Sequence, residues 1–338
     1  MQEGRESAYG GASERASSAS IHFSLTPGVY RCVAFRSSLW TIPASMDSHR
    51  HFVKSCRRII IKVGTNVVTR AEDGKFALGR IGALCEQVKE LVESGIEVII
   101  VTSGAVGMGY CLLRQYRTLN TSFADLAKSE AQPDGKACAA VGQSGLIMLY
   151  DTLFSLLDVA SSQLLVTSRD FCNKDFRKQL VDTVNSLVDM QVVPIFNEND
   201  AISTRENIKD NDLVFWDNDS LAALLAAEVK ADLLIFLMDV DGLYTKPPSE
   251  PDAKLIHTFI KEKHLDKVQY GEKLEPGSRG GMAEKVRIAQ RVADAGVPVI
   301  ITSGFLLDGM KKILDGEEIG TLFHRDASLW QKAKSNGD

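Results

Sequence analysis

Short apolar runs rich in β-branched residues alternate with longer amphipathic stretches from Arg57 onward. The runs expected to form strands are residues 59–63, 96–102, 163–167, 192–196, 233–238 and 297–302. Each run is nearly continuous in its apolar character, which is typical of strands that helices cover on both faces. The alternation predicts an α/β fold, a three-layer α/β/α sandwich with a largely parallel central sheet.

Helix signals fit between these strands. After the first strand, apolar residues recur at helical spacing over 81–92, and Gly95 is expected to end that helix. Asp217 is expected to cap the start of a later helix. Residues 103–109, with three glycines, are expected to form a glycine-rich loop after the second strand.

Polar residues cluster where several strands are expected to end. Such segments occupy 62–65, 103–109, 197–200, 217–219 and 238–244. Each one alone is more often a turn or a helix cap, because Asn, Asp and Gly are favoured there. Ligands of open parallel sheets bind beyond the carboxyl ends of the strands, so the set together predicts a ligand site.

Two lysines lie beside glycines. Lys62 ends the first strand just before Gly64, and Lys285 follows Gly280 and Gly281, where a helix is expected to begin. A cation, backbone N–H groups and a helix dipole at one point suit a phosphate group. Either segment alone is more often an exposed lysine near a turn, but the pair predicts a nucleotide phosphate chain held from both ends.

Several nucleotide-binding classes are excluded by motif. The P-loop pattern G-x-x-x-x-G-K-[ST] is absent, as are the protein-kinase elements H-R-D and D-F-G. The glycines of 103–109 follow the order G-x-x-G-x-G, which does not match the dinucleotide pattern G-x-G-x-x-G. A Rossmann dehydrogenase is therefore disfavoured.

Composition narrows the remaining classes. The chain has 338 residues, 44% hydrophobic and 25% charged, with a formal net charge of −5. This balance argues against a nucleic-acid partner. No apolar run approaches the roughly 20 residues of a membrane span, so no membrane partner is expected. Six scattered cysteines without zinc-ligand spacing suggest reduced thiols and a cytoplasmic location.

The first 45 residues differ from the rest. They are rich in Ser and Gly and are expected to form a disordered extension, followed by one domain over 46–330 and a polar tail over 331–338. Whether translation starts at Met1 or Met46 stays open. Organelle targeting also stays open, because Arg and Ser favour a transit peptide whereas Glu3, Glu6 and Glu14 oppose it.

The motifs at 62–65, 102–107, 197–200, 217–219 and 280–285 together resemble those of glutamate 5-kinases, in the amino acid kinase family. The resemblance spans roughly 53–330, and much of the intervening sequence is similar to the kinase half of plant-type Δ1-pyrroline-5-carboxylate synthetases. It implies the amino acid kinase fold and ATP-dependent phosphorylation of the γ-carboxylate of L-glutamate. The product would be L-glutamyl 5-phosphate, the first intermediate of proline biosynthesis, and Mg²⁺ would accompany ATP.

The resemblance also assigns residues. Those implied in catalysis are Lys62, Asp219 and Lys285, with the lysines on the phosphoryl group and Asp219 orienting them. Those implied in glutamate binding are Ser103, Asn197, Asp200 and Asn218. Those implied in ATP binding are Lys62, Gly64, Thr65, Gly104, Met238, Asp239, Arg279, Gly280, Gly281, Met282 and Lys285.

Some features depart from bacterial family members. Arg279 precedes the glycine pair, as in the synthetase-type kinases, and could add a phosphate contact. The loop 201–216 is longer, in a region where the family senses proline, so L-proline is a candidate feedback inhibitor. Neither a PUA module nor a reductase domain is expected after residue 323. The resemblance implies a homo-oligomer and a separate glutamyl-phosphate reductase as partner.

Three other interpretations stay open. The chain could phosphorylate another small carboxylate, since a pocket separates substrates that differ by one methylene by only about 1 to 3 kcal/mol. It could be a silent module that binds nucleotide or proline and regulates a reductase, although the presence of Lys62, Asp219 and Lys285 opposes this. It could also be a fragment of a bifunctional synthetase.

Overall fold

The computed structural model of the protein describes residues 49–120, 134–203, 217–265, 267–268 and 281–330. Seven strands form one sheet in the order β3-β4-β2-β1-β5-β6-β7. They are β1 (Arg58–Val63), β2 (Glu97–Val101), β3 (Ser161–Val166), β4 (Val193–Glu198), β5 (Leu233–Met238), β6 (Val299–Ser303) and β7 (Thr321–Phe323). All neighbouring strands are parallel except β6 and β7, which are antiparallel.

Helices cover both faces of this sheet. A 3₁₀ helix (His51–Ser55) precedes β1. The α-helices are α1 (Thr65–Val68), α2 (Leu78–Glu93), α3 (Ala105–Asn120), α4 (Gly135–Leu156), α5 (Ser168–Cys172), α6 (Lys174–Asp189), α7 (Asn218–Glu228), α8 (Lys261–His264), α9 (Met282–Asp294) and α10 (Gly309–Leu314).

Two buried clusters, one on each face, form the core. One combines sheet residues with side chains of α5, α6, α7 and α9. The other combines them with side chains of α1, α2, α4 and α10. Successive residues of β1 serve opposite clusters, Ile60 the first and Ile59 and Ile61 the second, because side chains alternate across a strand. The predicted three-layer sandwich is confirmed.

All six predicted strands are present, and their ends move by at most a few residues. The helix predicted over 81–92 is α2, and Gly95 follows it with a φ of +80°. Asp217 caps α7, as expected. The short antiparallel β7 was not predicted, because three residues carry too little periodicity to distinguish a strand from a loop.

The prediction of a glycine-rich loop over 103–109 is wrong for most of that range. Helix α3 already begins at Ala105, so Gly107 and Gly109 are helical. A Cβ atom at Gly109 would lie 1.7 Å from the carbonyl oxygen of Cys138 in α4, and one at Gly142 would lie 1.8 Å from that of Ala105. These two glycines let α3 and α4 cross in backbone contact, which is a packing role.

Helix α4 bears on the expectation that no apolar segment is long enough to span a membrane. In the described part of the chain it alone is long and apolar enough, by length and composition, to cross a membrane, whereas the sequence analysis expected no such segment. It instead lies against the sheet, with Leu146, Tyr150 and Phe154 fully buried in the core. About a third of this apolar stretch is buried, whereas Met148 and Leu156 are exposed.

Some expectations fall outside the described residues. These are the extension over 1–45 and the choice of start, most of the longer loop over 201–216, the tail over 331–338, and the segment with Arg279 and Gly280. None of the five cysteines within the described residues forms a disulfide bond with another of them. Burial raises the pKa values of Cys56 and Cys85 to about 12, so these thiols stay protonated.

Candidate active site

The parallel sheet brings the predicted strand ends to one edge. Lys62 lies near the carboxyl end of β1, Ser103 just after β2, Asn197 near the end of β4, and Met238 at the end of β5. Because β4, β2, β1 and β5 are neighbours in that order, these segments form a continuous row. The first turns of α7 and α9 supply Asp219 and Lys285.

Three charged residues meet near the middle of this row. The Oδ1 atom of Asp219 lies 2.5 Å from Nζ of Lys62, and its Oδ2 atom lies 2.6 Å from Nζ of Lys285. Lys62 and Asp219 are only 6% and 3% exposed. One carboxylate therefore holds two ammonium groups, and the cluster keeps a net positive charge of one.

The protonation of Asp219 follows from this arrangement. Burial alone would raise its pKa, but the charges of Lys62 and Lys285 and their hydrogen bonds outweigh burial and lower the pKa to about 2. Asp219 is thus ionised at neutral pH. Its position in the first turn of α7 adds the favourable field of a helix N-terminus.

Local sequence fixes both helix starts. Asp217 accepts a hydrogen bond from the N–H of Ser220, and the Ser220 side chain bonds back to the N–H of Asp217, which forms a capping box. Gly281 in extended conformation precedes α9, so Lys285 lies one turn into that helix. The two caps determine where Asp219 and Lys285 point.

The residues predicted to bind glutamate lie beside this cluster, joined by side-chain amides. Nδ2 of Asn218 donates to Oδ1 of Asn197 at 2.9 Å and, at 3.5 Å, to Oγ of Ser103. Nδ2 of Asn197 donates to Oε1 of Gln143 at 2.5 Å. The backbone N–H of Glu198 donates to Oδ1 of Asn218 at 3.0 Å. Three of the four predicted residues are thus in one network.

Asp200, the fourth, lines a cavity of about 310 Å³ next to this network. The described lining residues are Ala105, Ala139, Ala140, Gln143, Ser144, Ile147, Gln163, Leu165, Glu198, Asn199, Asp200 and Ala201. None of these is a lysine or an arginine. The cavity combines two carboxylates, neutral amides and small apolar walls, which suits an amino acid bound through its ammonium group.

Some of the residues predicted to bind ATP lie at the end of β5, which adjoins β1 on the side opposite β2 and β4, and at the start of α9. Met238 ends β5 and Asp239 follows it, while Gly281 is the N-cap of α9 and Met282 its first residue. Gly104 has a φ of +105°, which only glycine adopts readily. The N–H of Gly64 donates to the carbonyl of Leu237 at 3.0 Å, so it is not a bare donor as the sequence analysis expected. Thr65 beside it is exposed.

Three further residues were not singled out from the sequence. Gln143 of α4 joins the amide network, and Asn66 of α1 donates to Oδ2 of Asp239 at 2.7 Å. A Cβ at Gly304 would lie 2.6 Å from Val67, so β6 meets α1 closely there. Gly304 could have been predicted from the sequence, because it directly follows a predicted strand. The sequence around Gln143 and Asn66 contains no feature that distinguishes them.

Comparisons with known proteins agree with this arrangement. The model of the amino acid kinase family matches residues 57–303. A Delta-1-pyrroline-5-carboxylate synthase 1 of Oryza sativa subsp. japonica is 61% identical over 86% of this chain and 40% of that protein. A glutamate 5-kinase of Symbiobacterium thermophilum is 39% identical over 82% of this chain and 99% of that protein. The chain spans about two fifths of the length of the synthases it matches.

Solved structures show the same fold. An isopentenyl phosphate kinase of T. acidophilum matches with a TM-score of 0.51 and 15% identity, over 79% of this chain and all of that one. A UMP kinase of Bacillus anthracis matches with a TM-score of 0.52 and 16% identity, over 80% of this chain and 97% of that one. At this identity the likeness concerns the fold alone.

Proposed function

Because this chain belongs to the amino acid kinase family, we propose that it transfers the γ-phosphoryl group of ATP to the γ-carboxylate of L-glutamate. The observation that carries the proposal is the group formed by Lys62, Asp219 and Lys285, which lies next to the amide network that reaches the cavity. Glutamate is the proposed acceptor because relatives 39% to 61% identical bear the names glutamate 5-kinase and pyrroline-5-carboxylate synthase.

In the proposed reaction, a γ-carboxylate oxygen of glutamate attacks the γ-phosphorus of ATP. A new O–P bond forms while the bond between that phosphorus and the β,γ-bridging oxygen breaks, and ADP leaves with the electron pair. A carboxylate is already ionised at neutral pH, so the step needs no general base. The products are L-glutamyl 5-phosphate and ADP.

The chain contributes position and charge to this step. In phosphoryl transfer, negative charge is spread over the equatorial oxygens, and fixed cations stabilise it. Asp219 orients Lys62 and Lys285 before substrates arrive, so little reorganisation is needed during the reaction. Because Asp219 cancels only one of the two positive charges, the group stays attractive to phosphate.

Magnesium is proposed to enter with the ATP phosphates, where it neutralises their charge. Among the described residues, no group of three or more His, Cys, Asp and Glu side chains is arranged to hold a metal ion. Asp219 is committed to two lysines, whereas Asp239 and Asp241 after β5 are exposed. Asp239 directly follows β5 and accepts a hydrogen bond from Asn66, and it is the carboxylate proposed to face a phosphate-bound cation.

Partners are proposed from the chemistry of the product. An acyl phosphate hydrolyses readily, so a reductase that consumes glutamyl phosphate is the expected partner. The synthase relatives extend well beyond the matched segment. L-Proline as an inhibitor, a homo-oligomer and a cytoplasmic location remain part of the proposal.

The test is glutamate-dependent formation of γ-glutamyl hydroxamate from Mg-ATP, L-glutamate and hydroxylamine. We expect product with L-glutamate and little with L-aspartate. Lys285→Ala should lower kcat by about a hundredfold or more, equal to roughly 3 kcal/mol of lost transition-state stabilisation. Arg287→Ala is the matched control, since Arg287 is exposed on the same helix and pairs with Glu284.

Two results would contradict the proposal. Folded wild-type protein that binds ATP but forms no hydroxamate from glutamate would favour a regulatory module or another acceptor. An unchanged kcat in Lys285→Ala would remove the assigned role of that lysine.

A further inference from the structure

The amide network next to the three charges determines the orientation of Gln143. The backbone N–H of Glu198 can only donate, so the atom of Asn218 that it contacts is the oxygen. The other end of the Asn218 amide must then donate, and its partner on Asn197 must be oxygen. The remaining Asn197 atom donates in turn, so its partner on Gln143 is Oε1.

This chain of donors and acceptors leaves one free donor group. With Oε1 of Gln143 held by Asn197 at 2.5 Å, Nε2 is on the opposite side of the same carboxamide. Gln143 is one of the residues that line the 310 Å³ cavity, and within the described part of the chain its Nε2 has no hydrogen-bond partner. The backbone N–H of Glu198 thus determines the orientation of the Gln143 amide, through the side chains of Asn218 and Asn197, and leaves Nε2 of Gln143 as a donor at the cavity.

The cavity needs such a donor if it holds an amino acid. The γ-carboxylate must lie at Lys62 and Lys285, so the α-carbon with its ammonium and carboxylate groups lies further back. Glu198 and Asp200 also line the cavity, but an ionised carboxylate side chain only accepts hydrogen bonds and so cannot donate one to the α-carboxylate. None of the described lining residues is a lysine or an arginine, so the hydrogen-bond donors that these residues offer to the α-carboxylate are neutral ones.

We propose that Gln143 is a specificity-determining residue whose Nε2 donates a hydrogen bond to the α-carboxylate of the amino-acid substrate. The proposal rests on the function proposed above and names a contact that the sequence motifs do not contain. It places recognition of the substrate on α4, a helix that otherwise serves the core and the contact with α3.

The test is Gln143→Glu, assayed at pH 8. This variant keeps a side-chain oxygen that accepts the hydrogen bond from Asn197, but it replaces the Nε2 donor by a second acceptor oxygen. If Gln143 only oriented Asn197, the substitution would leave the KM for L-glutamate unchanged. We expect the KM for L-glutamate to rise about 10- to 100-fold, the loss of a hydrogen bond to a charged group. The kcat and the KM for ATP should change less than threefold.

A second readout separates this contact from general damage. The α-amide of L-glutamate can donate to the new carboxylate, so its kcat/KM relative to L-glutamate should rise at least tenfold in Gln143→Glu. Gln179→Glu is the matched control, because it makes the same substitution at an exposed position on α6 outside the cavity. It should change the KM for glutamate less than threefold.

The outcomes distinguish the two proposals. Wild-type protein that phosphorylates glutamate, with an unchanged KM in Gln143→Glu, would overturn the role of Gln143 and leave the kinase function intact. An equal effect of Gln179→Glu, or an unchanged preference for the α-amide, would also overturn it. Wild-type protein without activity on glutamate would overturn the function, and the contact with it.

Discussion

At the scale of single residues, Asp219 determines whether two buried lysines can be close together. Lys62 is 6% exposed, and its desolvated charge would be costly without a partner. Asp219 contacts both lysines, so its removal leaves two like charges facing each other. We therefore regard this carboxylate as structural and functional at once.

The lowered pKa of Asp219 predicts a pH effect on stability. Its folded value of about 2 lies below the unfolded value of about 3.9, so the unfolded chain takes up the proton first. The resulting stabilisation, on the order of 2 to 3 kcal/mol, is complete above about pH 5 and is lost as the pH falls toward 2. Urea unfolding of the wild type and Asp219→Asn between pH 3 and pH 7 would measure it.

The expected sign is specific. The free energy of unfolding should decrease more steeply with falling pH in the wild type than in Asp219→Asn, which has no carboxyl group to titrate there. Asp308→Asn is a control with an exposed carboxyl on α10 whose pKa is lowered chiefly by a hydrogen bond from Lys312. Parallel pH dependences for wild type and Asp219→Asn would contradict the assignment.

At the scale of elements, the crossing of α3 and α4 depends on two glycines. The backbones meet where Gly109 faces Cys138 and where Gly142 faces Ala105. A methyl group at either place would overlap backbone atoms, which cannot move as a flexible side chain can. Since α4 also carries Gln143, this crossing positions part of the proposed substrate site.

Gly142→Ala should therefore destabilise the protein. Its Cβ would lie 1.8 Å from a carbonyl oxygen, so the helices must separate, and overpacking of this kind costs typically 1 to 3 kcal/mol. Gly107→Ala on α3 is the matched control, because nothing lies within 4 Å of its added Cβ. There alanine should be neutral or stabilise by roughly 0.5 to 1 kcal/mol.

Chemical unfolding of both variants is the measurement. The KM for glutamate should also rise in Gly142→Ala, because the shift of α4 displaces Gln143. Equal stability of Gly142→Ala and Gly107→Ala would show that the helices are not in backbone contact at that point.

At the scale of the whole molecule, Arg50 connects the beginning of the described domain to segments near β7, the last strand of the sheet. The Arg50 guanidinium is buried and donates to the carbonyls of His257, Glu317, Ile319 and Gly320. His49 stacks on Trp330, with ring centroids 4.8 Å apart, so both ends of the domain meet there. Burial lowers the pKa of Arg50 to about 10, which still leaves it charged at neutral pH.

Arg50→Met should lower the free energy of unfolding by about 3 kcal/mol or more, since it leaves several buried carbonyls without their donor. Arg57→Met is the control, because Arg57 is exposed just before β1. Thermal and urea unfolding would compare them. If Arg50→Met lowers the free energy of unfolding no more than Arg57→Met does, the contacts of Arg50 do not stabilise the domain as proposed.

Part of the candidate site could be predicted because it depends on local chemistry. Lys62 at a strand end, the cap at Asp217 and the glycines before α9 each have a signature within a few residues. Gln143 and Asn66 have none, because their roles come from partners far along the chain. The first turn of α3 was predicted as loop because glycine inside a helix lowers local propensity, and packing against α4 offsets that cost.

The sequence by itself determined the six long strands, the parallel α/β class and the charged and amide residues that lie at the strand ends, because apolar periodicity and caps are local properties. Only the tertiary structure decided which of those residues touch. Lys62, Asp219 and Lys285 meet because β1, α7 and α9 converge at one edge of the sheet. That convergence follows from the strand order and the packing of helices on both faces, and it depends on contacts between residues that are distant in the chain.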